Sequence, residues 1–464
     1  MEKKGVYDVV VVGTGIGGAS AALIAASRGL RVAIVEGRKI GGTCVNRGCV
    51  PTKYLLRISE IVRDLRQLAG KGIFPGGVKP DLQRVGAEKA MITEQVISWY
   101  KDLVLPSYGI DLIEGYAHLI NPRTVKVNGY GVLEARKGIV LATGSSEVVP
   151  DIPGLKEAFE KGCAITSNEA LSLENVPDSL LVIGGGPIGV ELSTVWEGFG
   201  SRITIVEMKD RLLPTMDPDV GRAMENILRD RGMEIYTNTT VTRVDANHCR
   251  ARLSNGVEVE TDYILIAVGR KPFTQGLGVE RVGIKLGDQG EILVNEAMET
   301  SVPGIYAVGD VTGEPMIAGK AKLQGIVAGE NLAGANRKLR LDLIPHTVFS
   351  DPESAGVGIS ALKGDPRYIV KRFPVGANYR AIVNERINGI AKIVAEKESR
   401  RIVGFHMVGL YASEVVNTAV VAISKGLTLD EAVETLFTHP VMSEVFLDAA
   451  HLALGYNVYL PRRG

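Results

Sequence analysis

Two of the chain's four cysteines stand in one short stretch, Gly41-Gly42-Thr43-Cys44-Val45-Asn46-Arg47-Gly48-Cys49-Val50-Pro51-Thr52-Lys53. Four residues separate Cys44 from Cys49. The pair is therefore not a CxxC, and two cysteines are too few for a zinc-finger ligand set, so no metal site is read here. Thiols this close in sequence can join only if the backbone between them bends, because a bridge needs Cα atoms roughly 4.4–6.8 Å apart. Gly48 permits such a bend, and Asn46 and Gly41-Gly42 are turn formers. Lys53 follows Cys49 by four residues, which on a helix puts ammonium and sulfur on one face. A cation beside a thiol favours the thiolate, the reactive form. The stretch reads as a redox-active dithiol/disulfide; a stapling disulfide or a pair of buried thiols is the alternative. Cys163 and Cys249 have no cysteine neighbour in sequence and read as inert thiols.

The elements around this stretch carry a phosphate-binding pattern twice. Tyr7 to Val12 is a β-branched run read as a buried strand, followed by Gly13-Thr14-Gly15-Ile16-Gly17-Gly18, an Ala-rich helix to about Gly29, and a strand Arg31 to Val35 ending in Glu36. Strand, GxGxxG, helix, strand and acid together form the dinucleotide fingerprint, in which the glycines let backbone approach a pyrophosphate at a helix N-terminus. The second copy runs from the strand Leu180–Ile183 through Gly184-Gly185-Gly186-Pro187-Ile188-Gly189 to a strand Arg202–Val206 ending in Glu207. The acid follows the first glycine at the same interval in both copies. Two units imply two dinucleotides. An acid at Glu207 accepts from a free 2′-hydroxyl and repels a 2′-phosphate, so the second site is expected to prefer NAD to NADP.

Strand endings recur at Ile139–Gly144, at Tyr263–Arg270 and at Gly304–Asp310, the last with a carboxylate that can reach a cofactor hydroxyl. Residues 56–105 read as helical, and Pro150–Pro153 and Pro272–Gly276 as crossings between domains. From Leu343 the texture changes to mixed strands and helices with no phosphate loop, including a capping box at Thr428–Glu431 that opens a helix. The fold class expected is α/β: two Rossmann-like dinucleotide-binding domains plus an α+β third domain. The boundaries expected are 1–149 with 271–343, then 150–270, then 344–464.

Lys+Arg and Asp+Glu both number 53, and the zero net charge gives no reason to expect nucleic acid or an anionic membrane as partner. No apolar run approaches the ~18 residues of a membrane helix. The N-terminus lacks the apolar core of a signal peptide, so the expected location is cytoplasmic. A disulfide in a reducing compartment is usually transient and catalytic.

Taken over nearly its full length, the chain resembles the pyridine nucleotide–disulfide oxidoreductases, and among them the dihydrolipoamide dehydrogenases. Gly41–Lys53, both fingerprints, Gly304–Asp310 and His439–Glu444 carry the resemblance. It implies an FAD domain, an inserted NAD domain and a C-terminal domain that forms a homodimer. Gly13, Gly15, Gly18 and Glu36 would hold the ADP part of FAD, with a backbone contact from Ala117, and Gly42 and Thr43 beside them. Asp310 would bind the ribityl chain, with Thr143, Gly144, Met316 and Ala318 lying beside the flavin. Gly184, Gly186, Gly189, Glu207, Val241 and Gly269 would line the NAD site. Lys53 would sit near the flavin and pair with Glu191.

The same resemblance makes Cys49 the thiolate facing the flavin and Cys44 the thiol that exchanges with substrate. His439, oriented by Glu444, would be the base, acting on the partner subunit. The chemistry agrees: oxidising a dithiol needs a base near neutral pKa, and a carboxylate after a Pro-induced turn can orient an imidazole. The other five histidines, His118, His248, His346, His406 and His451, read as structural. The reaction implied is dihydrolipoamide + NAD⁺ to lipoamide + NADH, on lipoyl domains of a 2-oxoacid dehydrogenase or glycine cleavage complex. An NAD(P)H-dependent reductase of another disulfide or electron acceptor, like glutathione or mercuric reductase, is the alternative. Mercuric reductases carry a cysteine pair near the C-terminus, and the ending Tyr459–Gly464 has none. Arg47, Tyr54 and Gly319 depart from the usual lipoamide pattern, Gly319 standing where those enzymes usually carry His.

Overall fold

The structure is a computed structural model that describes residues 3–74, 76–339, 343–457 and 459–461; Arg462–Gly464 of the C-terminal ending lie outside the described residues. The chain forms two compact units. One comprises Met1–Tyr54, Gln83–Val148 and Gly269–Leu341, the other Leu55–Leu82, Val149–Val268 and Asp342–Gly464.

In the first unit the valine run at Val9–Val11 is wholly excluded from solvent. A strand buried on both faces reads as a continuous apolar run because helices cover it on each side. The strand Lys3–Val12 lies at the centre of the sheet, parallel to Val32–Glu36 on one side and to Gly131–Leu141 on the other. Asp111–Glu114 extends the sheet in parallel beyond Val32–Glu36. The strand Gly131–Leu141 divides its edge: Gly131–Glu134 pairs antiparallel with Thr124–Val127, and Ile139–Leu141 pairs parallel with Ile305–Ala307. The helices Ile16–Ser27 and Ala318–Leu332 pack closely because glycines line the contact. A Cβ on Gly325 would lie 2.2 Å from the Gly17 carbonyl oxygen.

The second unit contains a five-stranded parallel sheet in the order Glu234–Tyr236, Arg202–Val206, Ser179–Ile183, Tyr263–Ile266, Ala164–Thr166. A three-stranded antiparallel sheet, Val241–Asp245, Arg250–Leu253 and Glu258–Glu260, branches from it in sequence. A further five-stranded antiparallel sheet contains Glu353–Gly358, Ile402–Gly409 and Ile390–Glu396, flanked by His346–Val348 and Tyr368–Pro374. The helices Ala412–Ser424 and Glu444–Ala453 cover it around a core that includes Phe405, Met407, Val416 and Phe446.

Lys392, in the strand Ile390–Glu396, is fully buried and lies 2.7 Å from Asp217 and 3.0 Å from Asp219, at the start of the helix Pro218–Asp230. Burial opposes the carboxylate charges. For Asp217 the charge of His406 and bonds from Lys392 and Ser360 outweigh it, and for Asp219 bonds from Lys392, Arg222 and Arg372 do so, leaving Asp219 at about 2.

Candidate active site

The two glycine loops are built alike. Gly13 and Gly184 have φ of 108° and 110°, a region open to glycine and costly for other residues. Gly13 N–H donates to Val35 O, and Gly184 N–H to Val206 O, each at 2.8 Å, which ties loop to second strand. A Cβ on Gly18 or on Gly189 would stand 2.0 Å from the carbonyl oxygen of the loop's first glycine. Both helices therefore start hard against their strands. The middle glycines, Gly15 and Gly186, face open space. Each loop thus presents bare backbone at a helix N-terminus, the arrangement a pyrophosphate needs.

The acids differ in burial. Glu36 accepts from Thr14 N–H at 3.0 Å, Thr14 Oγ1–H at 2.5 Å and Arg38 N–H at 2.8 Å. Glu207 is buried and accepts from Gly185 N–H and Lys209 N–H, each at 2.7 Å. Val241 opens the strand Val241–Asp245, and Gly269 (φ 127°) follows the strand Tyr263–Ile266 with open space where a side chain would be.

The stretch read as a turn around the dithiol is instead two helices, Gly42–Arg47 and Cys49–Gly70, meeting at Gly48. Asn46 lies inside the first helix, where its amide donates to the Ile40 and Gly42 carbonyls. Gly48 makes the sharp bend: a Cβ there would stand 2.9 Å from Thr43 O and 3.3 Å from Cys44 Cα. The bend folds the start of the second helix back over Thr43-Cys44. Both Cys44 and Cys49 are half-buried thiols. Lys53 lies one turn beyond Cys49 on the same helix. The hydrogen bond with Cys49 and burial push the Cys44 thiol up, and the Lys53 charge pulls the other way. Gly42 packs on the first loop, where a Cβ would stand 2.8 Å from Gly15 Cα. The dithiol helix is thus laid directly on the first dinucleotide cradle, with Thr43 beside it.

A polar chain lies in the same unit. Asp310, at the start of a short helical turn after the strand Ile305–Ala307, accepts from Ser145 Oγ–H at 2.6 Å. Arg270 donates to Ser145 Oγ at 2.8 Å and to Glu147 at 2.9 Å. Burial works against the Glu147 charge, but a bond from its own backbone N–H and the Arg270 and Arg47 guanidiniums hold its carboxyl below the usual range. Thr143 Oγ1–H donates to Phe273 O at 2.6 Å, and Gly144 takes a φ of 73°. Lys320, almost fully buried, donates to Gly313 O at 2.5 Å, and burial pulls its pKa down. Ser145, Arg270, Glu147 and Lys320 were missed in the sequence; Arg270 alone had a signal, standing after Gly269. Ala117 opens the strand Ala117–Asn121, Met316 N–H bonds the Glu314 carboxylate, and Ala318 starts the helix Ala318–Leu332. Gly319, on that helix, has open space where a side chain would project.

In the second unit His439 Nδ1 lies 2.8 Å from Glu444 Oε1, and Val441 N–H donates to Glu444 Oε2 at 2.8 Å. The backbone bond fixes the carboxylate and the carboxylate fixes the ring. His439 is half exposed and meets the edge of Tyr379 at 5.5 Å between ring centres. Asp448, one turn after Glu444, is buried; burial and the Glu444 charge raise its carboxyl to about 7, against the pull of His439. Glu191, also buried, accepts from Phe349 N–H at 2.9 Å. Lys53 belongs to one unit and Glu191 to the other, as do Cys44 and His439.

The reading of Cys163 and Cys249 as inert thiols without partners is corrected: the two form a disulfide with Cα atoms 5.7 Å apart. They are 86 residues apart in sequence, and the fold closes that gap. Among the described residues no helix is long and apolar enough to cross a membrane.

Comparison with known proteins agrees with this geometry. The family profile for pyridine nucleotide-disulphide oxidoreductases matches residues 7–325, and that for the dimerisation domain of the same family matches residues 344–450. Dihydrolipoyl dehydrogenase of Thermus scotoductus is 35% identical over 460 residues, covering 96% of both chains. Mercuric reductase of Staphylococcus aureus is 35% identical over 452 residues, covering 95% of this chain and 81% of its own. The solved structure of the HOCl-induced flavoprotein disulfide reductase RclA from Escherichia coli superposes with a TM-score of 0.86 at 30% identity, covering 96% of this chain and 100% of its own. With two bare-backbone cradles, a dithiol laid on the first and these full-length relatives, the chain belongs to the pyridine nucleotide–disulfide oxidoreductase family, a flavoprotein oxidoreductase with FAD and NAD(H) as its cofactors.

Proposed function

We propose that this flavoprotein is a dihydrolipoamide dehydrogenase acting as a homodimer. The observation that carries the reading is the Cys44–Cys49 pair, folded together at Gly48, with Lys53 one turn on and Gly42 packed against the first glycine loop. Residues 1–149 and 271–343 bind FAD, 150–270 bind NAD, and 344–464 form the dimer interface. Gly13, Gly15, Gly18, Glu36, Ala117, Thr143, Gly144, Asp310, Met316 and Ala318 hold FAD. Gly184, Gly186, Gly189, Glu207, Val241 and Gly269 hold NAD.

The dithiol chemistry balances as two exchanges. One substrate thiolate attacks Cys44 of the oxidised pair, forming a mixed disulfide and breaking the Cys44–Cys49 bond. Cys49 leaves as a thiolate, stabilised by Lys53. The second substrate thiolate then attacks the mixed disulfide, forming lipoamide and releasing Cys44. His439, contributed by the partner chain, takes the substrate's proton, and Glu444 stabilises the imidazolium. FAD supplies the two-electron relay from the reduced pair to NAD⁺.

Reduction of another disulfide by NADH is the second reading, favoured by Gly319 in place of the usual His and by the likeness to RclA. Steady-state turnover decides between them. The purified yellow protein is assayed with dihydrolipoamide and NAD⁺, beside NADPH with glutathione disulfide and NADH with other disulfides and mercuric ion. A kcat/KM highest for dihydrolipoamide supports the proposal; a higher value for any control reaction overturns it.

A further inference from the structure

The Cys163–Cys249 bond joins two different sheets. Cys163 directly precedes the strand Ala164–Thr166, the edge of the five-stranded parallel sheet. Cys249 directly precedes the strand Arg250–Leu253, the middle of the three-stranded antiparallel sheet. Cys163 is nearly buried within the apolar cluster of Leu155, Ala158, Ile264 and Ile266, and Cys249 packs against it.

Its place along the parallel sheet is informative. Ala164 is in register with Ile264, and Ile264 with Leu181. Cys163 is therefore level with the beginning of the strand Ser179–Ile183. The glycine loop starts beyond the other end of that strand, at Gly184. Ligands of such sheets bind outside the carboxyl ends of the strands. The disulfide stands at the opposite end, where neither nucleotide nor substrate chemistry is placed.

Cys249 also carries a conformational signature. It closes the hairpin between Val241–Asp245 and Arg250–Leu253 with a φ of 45°. A hairpin loop ending in a left-handed residue ordinarily uses glycine there, because other side chains are strained. A cysteine holds the position only where the surrounding structure holds it in return.

We propose that Cys163–Cys249 is a permanent structural bond, which ties the nucleotide sheet's edge strand to the antiparallel hairpin and stays closed while Cys44–Cys49 cycles. It forms once, by exchange with an external low-molecular-weight disulfide. Each cysteine gives up a proton, the Sγ–Sγ bond forms, and the external disulfide breaks and leaves as two thiols carrying both electrons.

The contrast with Cys44–Cys49 rests on the proposed function; the bond itself does not. Holoenzyme purified without reductant is treated anaerobically with excess NADH, alkylated while folded, then unfolded and mapped by mass spectrometry. Cys44 and Cys49 are expected to be alkylated, and Cys163 and Cys249 to be recovered as one cross-linked peptide that dithiothreitol separates. A cross-linked peptide supports the bond whether or not Cys44 and Cys49 label, and their failure to label counts only against the proposed function. Alkylation of Cys163 or Cys249 before dithiothreitol overturns the proposal. Melting of the double variant Cys163→Ala, Cys249→Gly tests the staple: the transition should fall by roughly 5–10 °C, since a long loop is no longer closed. An unchanged transition overturns the structural role. Cys249→Gly alone is expected to cost less than Cys249→Ser, because glycine accepts the left-handed backbone.

Discussion

Each unit of this chain carries a glycine loop, a closing acid and a pair of cysteines, yet the two pairs are placed oppositely. In the first unit Gly42 rests against Gly15, so Cys44 and Cys49 are built into the wall of the cradle. In the second unit the corresponding residue, Gly186, faces open space. The cysteines there stand at the far end of the sheet and are joined to each other. The first pair has a lysine one helical turn away; Cys163 lies among aliphatic side chains. Glycine loops alone therefore do not make a redox site. What distinguishes the first unit is a second glycine bend, at Gly48, that folds two thiols together on a cradle and beside a cation.

A large effect is expected at His439. His439→Ala should lower dithiol oxidation by roughly 10²–10⁴-fold, the usual worth of a positioned base. Co-expressed with Cys44→Ser, it should give mixed dimers that regain one site. A verified heterodimer without activity would sink the shared-site arrangement and leave the dithiol chemistry intact. Next is the nucleotide. A buried carboxylate at Glu207 and a 2′-phosphate repel each other by several kcal/mol, so kcat/KM should favour NAD⁺ over NADP⁺ by about 10²-fold or more. Equal use of both would refute the assignment of Glu207.

How far the site could be read depends on the range of the contacts that make it. The loops, their acids and the Gly48 bend were legible because each is set within a few residues by glycine's conformational freedom and helix spacing. Gly13 and Gly184 show φ values within 2° of each other, as expected from identical local demands. The local reading failed at Asn46, taken for a turn former, because its amide can instead bond the Ile40 and Gly42 carbonyls and support a helix. Ser145, Arg270 and Asp310 meet across 125 and 165 residues, and no periodicity marks them. Lys392 sits in a strand where alternation predicts a lysine at the surface; Asp217 and Asp219, from a distant helix start, allow its burial. The Cys163–Cys249 bond was missed for the same reason, since only the fold brings its ends together.

Asp448 titrates at about 7 in the folded chain, against ~3.9 unfolded, so folding takes up a proton between those values. Stability should fall as pH rises from ~4 to 7, and the penalty should be complete above 7. Asp448→Asn removes it, so the variant should gain on the wild type across that window, by an amount on the order of 2–4 kcal/mol. Parallel melting curves from pH 4 to 8 would contradict the placement of Asp448 behind Glu444. The smallest effect is at Gly319. Its helix leaves room for a side chain, so Gly319→His should fold normally and raise dihydrolipoamide kcat/KM by about threefold, under 1 kcal/mol. No change in that ratio would remove Gly319 as a specificity determinant.

In the proposed reaction only one of the two cysteine pairs carries electrons between substrate and nucleotide. Dihydrolipoamide:NAD⁺ turnover of Cys44→Ser and Cys163→Ala, measured side by side at 25 °C with bound FAD quantified, tests it directly. Cys44→Ser should lose at least ~10³-fold in kcat while retaining FAD, and Cys163→Ala should stay within about twofold of the wild type. Equal losses in the two variants, or normal turnover by Cys44→Ser, would rule out Cys44–Cys49 as the electron-carrying pair.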